Sequence, residues 1–290
     1  MSEGLSGGAL IRRCVVASPG NVLVSSDYDQ LELRVLAGVA SIAGMKRAID
    51  AGEDLHSSTA SLIFGDDFTP WQRQLAKMTN FLIVFGGGAG KLAEQAGIPL
   101  DQAKEVIQGY HSAYPEVRRY SRKLQDAVLA SALTPDEIEL HRDLTRRRWD
   151  LVNALRDETD SLNIEALGKQ QRSVERKLSL ITRNKTGWIR SPIGARIPVP
   201  AAQAYKAVNY IVQGTGRDVT ARALVRLDNA GLSKYLVLVV HDEILADVPE
   251  AKAETVARRI GELMSEDFEG VPITATGEII GDNWGNAYAA

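Results

Sequence analysis

The chain has 290 residues, 44% hydrophobic and 24% charged, an ordinary make-up for a globular protein of one or two domains with a real core. Its single cysteine, Cys14, excludes an internal disulfide framework and, with only four histidines, argues against a cysteine-based zinc site. The net charge of −3 lacks the basic excess usual in nucleic-acid-binding domains, although where the charge sits counts for more than its sum.

From the amino end, residues 10–17 and 21–27 read as strands, the second built on Val22-Leu23-Val24. From Gln30 onward, Leu31, Leu33, Val35 and Leu36 with interleaved Glu32 and Arg34 fit a helix starting near Asp29. Asp27 therefore stands where strand hands over to helix, free to face a ligand; such an Asp serves equally as a cap or turn residue. Residues 41–133 are helical in pattern, with starts at Thr69-Pro70, at Pro99 with Asp101, and at Pro115. Arg73, Lys77 and Phe81 are spaced by four on one helix stripe, with Asn80 near the same face. Two cations and a ring suit the phosphates and the sugar and base of a nucleotide, where the bland alternative is a solvated face. The run GGGAGK at 86–91 is not a phosphate loop, because Phe85 stands where its first Gly is needed and Leu92 follows Lys91.

Residues 134–182 read as a charged α-hairpin with a break near 157–163, carrying Arg146, Arg147, Arg148, Arg172, Arg176 and Lys177. A β-hairpin over 187–199 turns at Ser191-Pro192-Ile193-Gly194, with Pro198 marking an edge. A long helix over 201–230 follows. Apolar runs at 236–240 and 244–248 flank His241-Asp242-Glu243 as a tight antiparallel pair. An amphipathic helix from Pro249 and a strand over 273–280 close the chain. Strands at both ends with helices between them predict an α+β fold. Asp27 and Asp242 both lie at strand ends or turns, so adjacent strands could join two carboxylates, as two-metal phosphoryl transfer requires. No apolar run is long enough to span a membrane and Met1 opens no signal-peptide pattern, so a cytoplasmic protein is expected.

DYDQLELR at 27–34 resembles DYSQIELR, the first catalytic motif of the DNA polymerase I family (family A). WQRQLAKMTNFLIVFGGG (71–88) is similar to its nucleotide-binding helix, LVVHDEILADV (238–248) to its HDE hairpin, and IVQGTGRD (211–218) to the helix before that hairpin. The four stand in family order. The resemblance implies an antiparallel palm sheet interrupted by a large helical fingers region. The palm would take residues 1–40 and 187–290, and the fingers 41–186, with the charged insertion at about 134–182. It implies template-directed addition of deoxynucleotides to a primer 3′ end with two Mg²⁺ ions. Asp27, Asp242 and the Tyr28 carbonyl would hold the metals, with Glu243 supporting the catalytic pair. Arg73, Lys77, Phe81, Phe85 and His56 would meet the nucleotide, and Glu32 would exclude a 2′-hydroxyl. Asn80, Asn209, Gln213 and His241 would contact DNA.

Four departures bear on fidelity and sugar choice: Asp29 for the usual Ser, Gln74 for a frequent Arg, Leu82 for Gly, and Phe85 for Tyr. The insertion is either a solvated hairpin or a basic strip touching template or a partner protein. Expected partners are primer–template DNA and dNTPs. For the thumb and exonuclease that the family carries upstream, the expectation is a second polypeptide or a chain that is a fragment. The alternative reading is a catalytically silent nucleic-acid-binding or replication-partner module.

Overall fold

A computed structural model describes residues 7–288. In chain order, α1 (Gly7–Arg13) and β1 (Asn21–Tyr28) precede the helices α2 (Leu31–Val39), α3 (Ala43–Asp50), α4 (Leu55–Phe64) and α5 (Pro70–Val84). Then come α6 (Ala89–Ala96), α7 (Leu100–Ala113), α8 (Pro115–Ala132), α9 (Pro135–Asp157) and α10 (Ser161–Thr182). The hairpin β2 (Thr186–Arg190) and β3 (Arg196–Pro200) leads through a 3-10 turn, Ala201–Lys206, into α11 (Ala207–Asn229). Last are β4 (Leu236–Val240), β5 (Glu243–Pro249), α12 (Ala253–Met264), β6 (Glu266–Phe268), β7 (Val271–Ile273) and β8 (Ala275–Gly281).

These elements form two compact units, one of residues 1–80 and 212–290 and one of residues 81–211. The first is built on an antiparallel sheet in the order β4-β5-β1-β8. Leu23, Val24, Ile244, Leu245, Ala246 and Val248 are buried in it. On α12, Val256, Ala257, Ile260 and Met264 recur at helical spacing and are buried too. Gly261 lets α12 approach β8 closely, since a Cβ there would stand 2.9 Å from the Ala275 carbonyl oxygen. β4 is an edge strand on which Val237, Leu238 and Val239 are exposed.

The second unit is mainly helical. Thr134 and Glu137 close a capping box at the start of α9, and α9 packs on α10 around Leu144, Leu151 and Val174. Lys185 pairs with Glu137 where the hairpin rejoins the chain. β2 lies so close to α8 that a Cβ on Gly187 would meet the Val128 carbonyl oxygen at 2.0 Å. Among the described residues no helix is long and apolar enough to cross a membrane.

Three expectations change. Residues 10–17 form no strand: Ala, Leu and Arg favour the helix α1, and only Val16 makes a single bridge, to Asn283. The stretch 201–206 is a 3-10 turn rather than α-helix. Val271–Ile273 pairs with Glu266–Phe268, so the last sheet strand begins at Ala275. By contacts, residues 41–80 go with the sheet unit and 187–211 with the helical unit.

Candidate active site

β1 pairs with β5 from Asn21–Pro249 to Ser26–Ile244, which brings Asp27 level with the turn between β4 and β5. That turn is only two residues long, since Val240 pairs with Glu243. His241 closes it with φ 57°, in the left-handed region that a non-glycine residue seldom enters. The strain fixes Asp242 at the tip beside Asp27.

Both acids are perturbed. The Asp27 pKa is pushed up to about 6, first by lost hydration and then by the charge of Asp242. The Tyr28 N–H, donating to Asp27 Oδ1 at 2.9 Å, pulls the other way and loses. The Asp242 pKa is raised by burial and then by Glu32. Glu243 differs from both: it is buried, and its Oε1 accepts from Ser25 Oγ at 2.6 Å and from Trp284 Nε1 at 2.7 Å. Sequence reasoning missed both partners. Ser25 could have been found from its two-residue spacing to Asp27 on one strand face; Trp284, near the carboxyl end, carried no such signal.

Beside Asp242 lies a cleft of about 270 Å³ lined also by Glu32, Gln213, Arg217 and His241. Gln213 Nε2 donates to Glu32 Oε1 at 3.4 Å, a long bond that still gives the carboxylate a donor. Arg217, one turn beyond Gln213, is a third missed residue, and the four-residue spacing was its signal. Its guanidinium also pairs with Asp218 at 2.8 Å.

Asp54 caps α4 by accepting from the Ser57 N–H at 2.8 Å, and accepts from Arg73 at 2.8 Å and Gln30 at 3.0 Å. Burial pulls its pKa up, but the bonds from Ser57 and Arg73 outweigh that and hold it at about 2. Arg73 is thus tied down on one side and half-exposed on the other. Lys77, one turn along α5, is exposed and makes no ion pair among the described residues. His56 is buried and its pKa lowered to about 4 by burial, so the ring is neutral at pH 7. The Asn80 amide meets its Nδ1 at 3.2 Å, which makes Nδ1 the acceptor and leaves Nε2 to carry the proton.

Asn80 is fully buried and bonded to His56 and to Thr59 at 3.1 Å, so its side chain orients His56. α5 crosses from one unit to the other at this point. Beyond it, Phe81 is half-buried in the last turn of α5, and Phe85, the residue just past its end, is exposed. Asn209 keeps a buried amide nitrogen with no protein partner.

Among the described residues no group of three His, Cys, Asp and Glu side chains gathers to hold a metal. Two neighbouring carboxylates whose pKa values both rise are nevertheless a donor set that fits a hard dication, which would reverse both shifts. Mg²⁺ commonly takes one or two carboxylates and completes its shell with water and substrate phosphates.

Comparison with known proteins agrees with this arrangement. The family model described as DNA polymerase family A matches residues 5–157 and 181–286. The DNA polymerase of Mycobacterium phage D29 is 37% identical over 282 residues, covering 97% of this chain and 37% of that protein. The thermostable DNA polymerase I of Thermus aquaticus is 31% identical over 288 residues, covering 96% of this chain and 28% of that protein. A solved structure titled as the POL domain of Pol1 from M. smegmatis in complex with DNA primer-template and dNTP has a TM-score of 0.69. It is 24% identical over 99% of this chain and 44% of that one, a likeness of fold. The chain thus spans less than half the length of each of these relatives.

Proposed function

Because the chain belongs to DNA polymerase family A, we propose that it carries the palm and fingers of a template-directed DNA polymerase, adding deoxynucleotides to a primer 3′ end. The observation that carries this reading is the pairing of Asp27 with Asp242 at the end of β1 and the tip of the β4–β5 turn, each with its pKa raised.

Asp27, Asp242 and the Tyr28 carbonyl would hold two Mg²⁺ ions, which when bound neutralise phosphate charge and favour the ionised primer hydroxyl. Glu243, fixed by Ser25 and Trp284, keeps the hairpin turn in place beneath Asp242. Lys77 is the unpaired cation for the triphosphate, and Arg73 offers the half of its guanidinium edge that Asp54 leaves open. Neutral His56 donates a hydrogen bond from Nε2, held by Asn80. Phe81 and Phe85 present rings to sugar and base. Glu32, steadied by Gln213, occupies the space a 2′-hydroxyl needs. Asn209, Gln213 and His241 face the primer–template. The part of the relatives' length outside the match, on the same or a second polypeptide, works with this one, and a cytoplasmic location goes with the reading.

Primer extension tests it. Wild type, alone and with a candidate upstream partner, should extend a primer with Mg²⁺, and Asp27→Ala or Asp242→Ala should abolish extension while DNA binding persists. Near wild-type extension by either variant removes the two-metal assignment. DNA binding without extension under every condition would instead make the chain a catalytically silent module.

A further inference from the structure

Within the helical unit, α8, α9, α10 and the 3-10 turn at Ala201–Lys206 surround an open groove of about 520 Å³, in the size range of ligand clefts. His141, Thr145, Arg148 and Trp149 form one stripe of α9 along its wall, joined by Gln125 from α8 and Tyr205 from the 3-10 turn. Trp149 is 56% exposed and Tyr205 50% exposed. Neither ring is needed by the core of the helical hairpin, which is built from Leu144, Leu151 and Val174. Stiff aromatic rings left half in water with polar edges are what a planar ligand would use.

The charge around them is one-sided. No Asp or Glu lines the groove, although α8, α9 and α10 all carry acids. Two of those acids pair with lysines outside it, Glu137 with Lys185 and Glu165 with Lys169. Arg148 makes no ion pair among the described residues, and its guanidinium stands 5.8 Å from the Trp149 ring. The remaining wall offers Gln125, Thr145 and His141, groups that both donate and accept. Two stacking faces, an unpaired guanidinium and mixed hydrogen-bonding edges match a nucleotide in a single strand: base on the rings, base edge on the polar wall, phosphate on the arginine. An acidic peptide would satisfy Arg148 but leave both rings without a matching face.

We propose that this groove binds single-stranded nucleic acid, in the first place the unpaired template strand, by stacking its bases on Trp149 and Tyr205. The family match omits residues 158–180, so most of α10, one wall of the groove, lies outside it. The inference rests on the proposed function only in taking DNA as the substrate.

The test compares binding of labelled duplexes that are blunt or carry a 5′ oligothymidine overhang of about ten nucleotides, in the size range of single-strand sites. Wild type should prefer the overhang, and Trp149→Ala and Tyr205→Ala should each reduce that preference by roughly tenfold, a typical loss for one stacked base. Trp149→Phe, which keeps a ring, should restore most of it. Arg148→Gln should weaken overhang binding and lower its salt dependence. Both aromatic positions are half-exposed, and melting curves verify that the variants remain folded. An overhang preference unchanged in the Trp149→Ala, Tyr205→Ala double variant overturns the proposal. If that variant also extends primers normally, the polymerase reading stands without the groove; if wild type binds no DNA, both fall.

Discussion

Asp27 illustrates how a side chain proposed for catalysis works against its own fold. Its pKa of about 6 lies above the ordinary carboxylate value near 4, so the folded chain binds more protons than the unfolded chain between those values. Stability therefore falls as pH rises from about 4 to about 6 and stays lower above that. Asp27→Asn should raise the melting temperature in chelator at pH 7.5, with the gain vanishing near pH 4. Screening at this solvent-reaching side chain limits the gain to about 1 kcal/mol. Melting curves across pH check it, and equal melting of variant and wild type at pH 7.5 would mean that Asp242 does not burden Asp27. Asp54 runs the opposite way: with its pKa held at about 2, it stabilises above pH 4 and loses that contribution as pH falls toward 2. Glu32 supplies a functional counterpart. Gln213 is a donor that reaches its carboxylate, at 3.4 Å. Glu32→Ala should admit ribonucleotides, and Gln213→Leu should weaken discrimination by a few-fold, since one long bond is worth about 1 kcal/mol. Incorporation ratios of ribonucleotide to deoxynucleotide measure both. If Gln213→Leu leaves the ratio unchanged, Glu32 is held by something else.

Among the elements, the tightest constraint is the seat of β2 on α8. Gly187→Ala forces a methyl group to within 2.0 Å of the Val128 carbonyl oxygen, so strand or helix must move. The expected cost is about 3 kcal/mol or more, read from denaturant melts, with hydrogen exchange accelerating first in β2 and α8. A neutral Gly187→Ala would show that the hairpin has room to shift. Punctuation made most helices legible: Thr69-Pro70 and Thr134-Pro135 both open helices with capping boxes, and Pro115 opens α8. Period was a weaker guide. Residues 10–17 read as a strand, yet 10–13 lie in α1 and, among the described residues, only Val16 makes a bridge, to Asn283. Asn80 shows the limit of the four-residue stripe: three residues from Lys77 and one from Phe81, it turns inward to His56 and Thr59.

For the whole molecule, the family and the palm-like sheet could be read early because the chemistry sits in contiguous strings at strand ends, where Asp27 and Asp242 need only adjacent strands to meet. What could not be read were pairings set by the fold across long separations, such as Trp284 with Glu243, since a tryptophan in sequence looks like core. The division into units was equally hidden, because β2 and β3 read as sheet residues but pack with the helices. The net charge of −3 hides an uneven distribution: acids concentrate around Asp27, Glu32 and Asp242, while the groove beside Arg148 has none. DNA affinity should therefore fall steeply with salt despite the acidic total, because each phosphate neutralised by a cation releases a counterion. Titration between about 50 and 200 mM salt measures this, and a flat response would mean that no basic track touches the backbone.

β4 has a practical consequence. Its sequence, Leu-Val-Leu-Val-Val, holds neither charge nor proline, and one side of its backbone has no strand beside it. Such an edge recruits any extended segment that meets it, another copy included. The colloidal behaviour of the purified chain should thus be governed by five residues: light scattering should rise steeply with concentration, and Val239→Lys should flatten that rise without disturbing Asp242 three residues on.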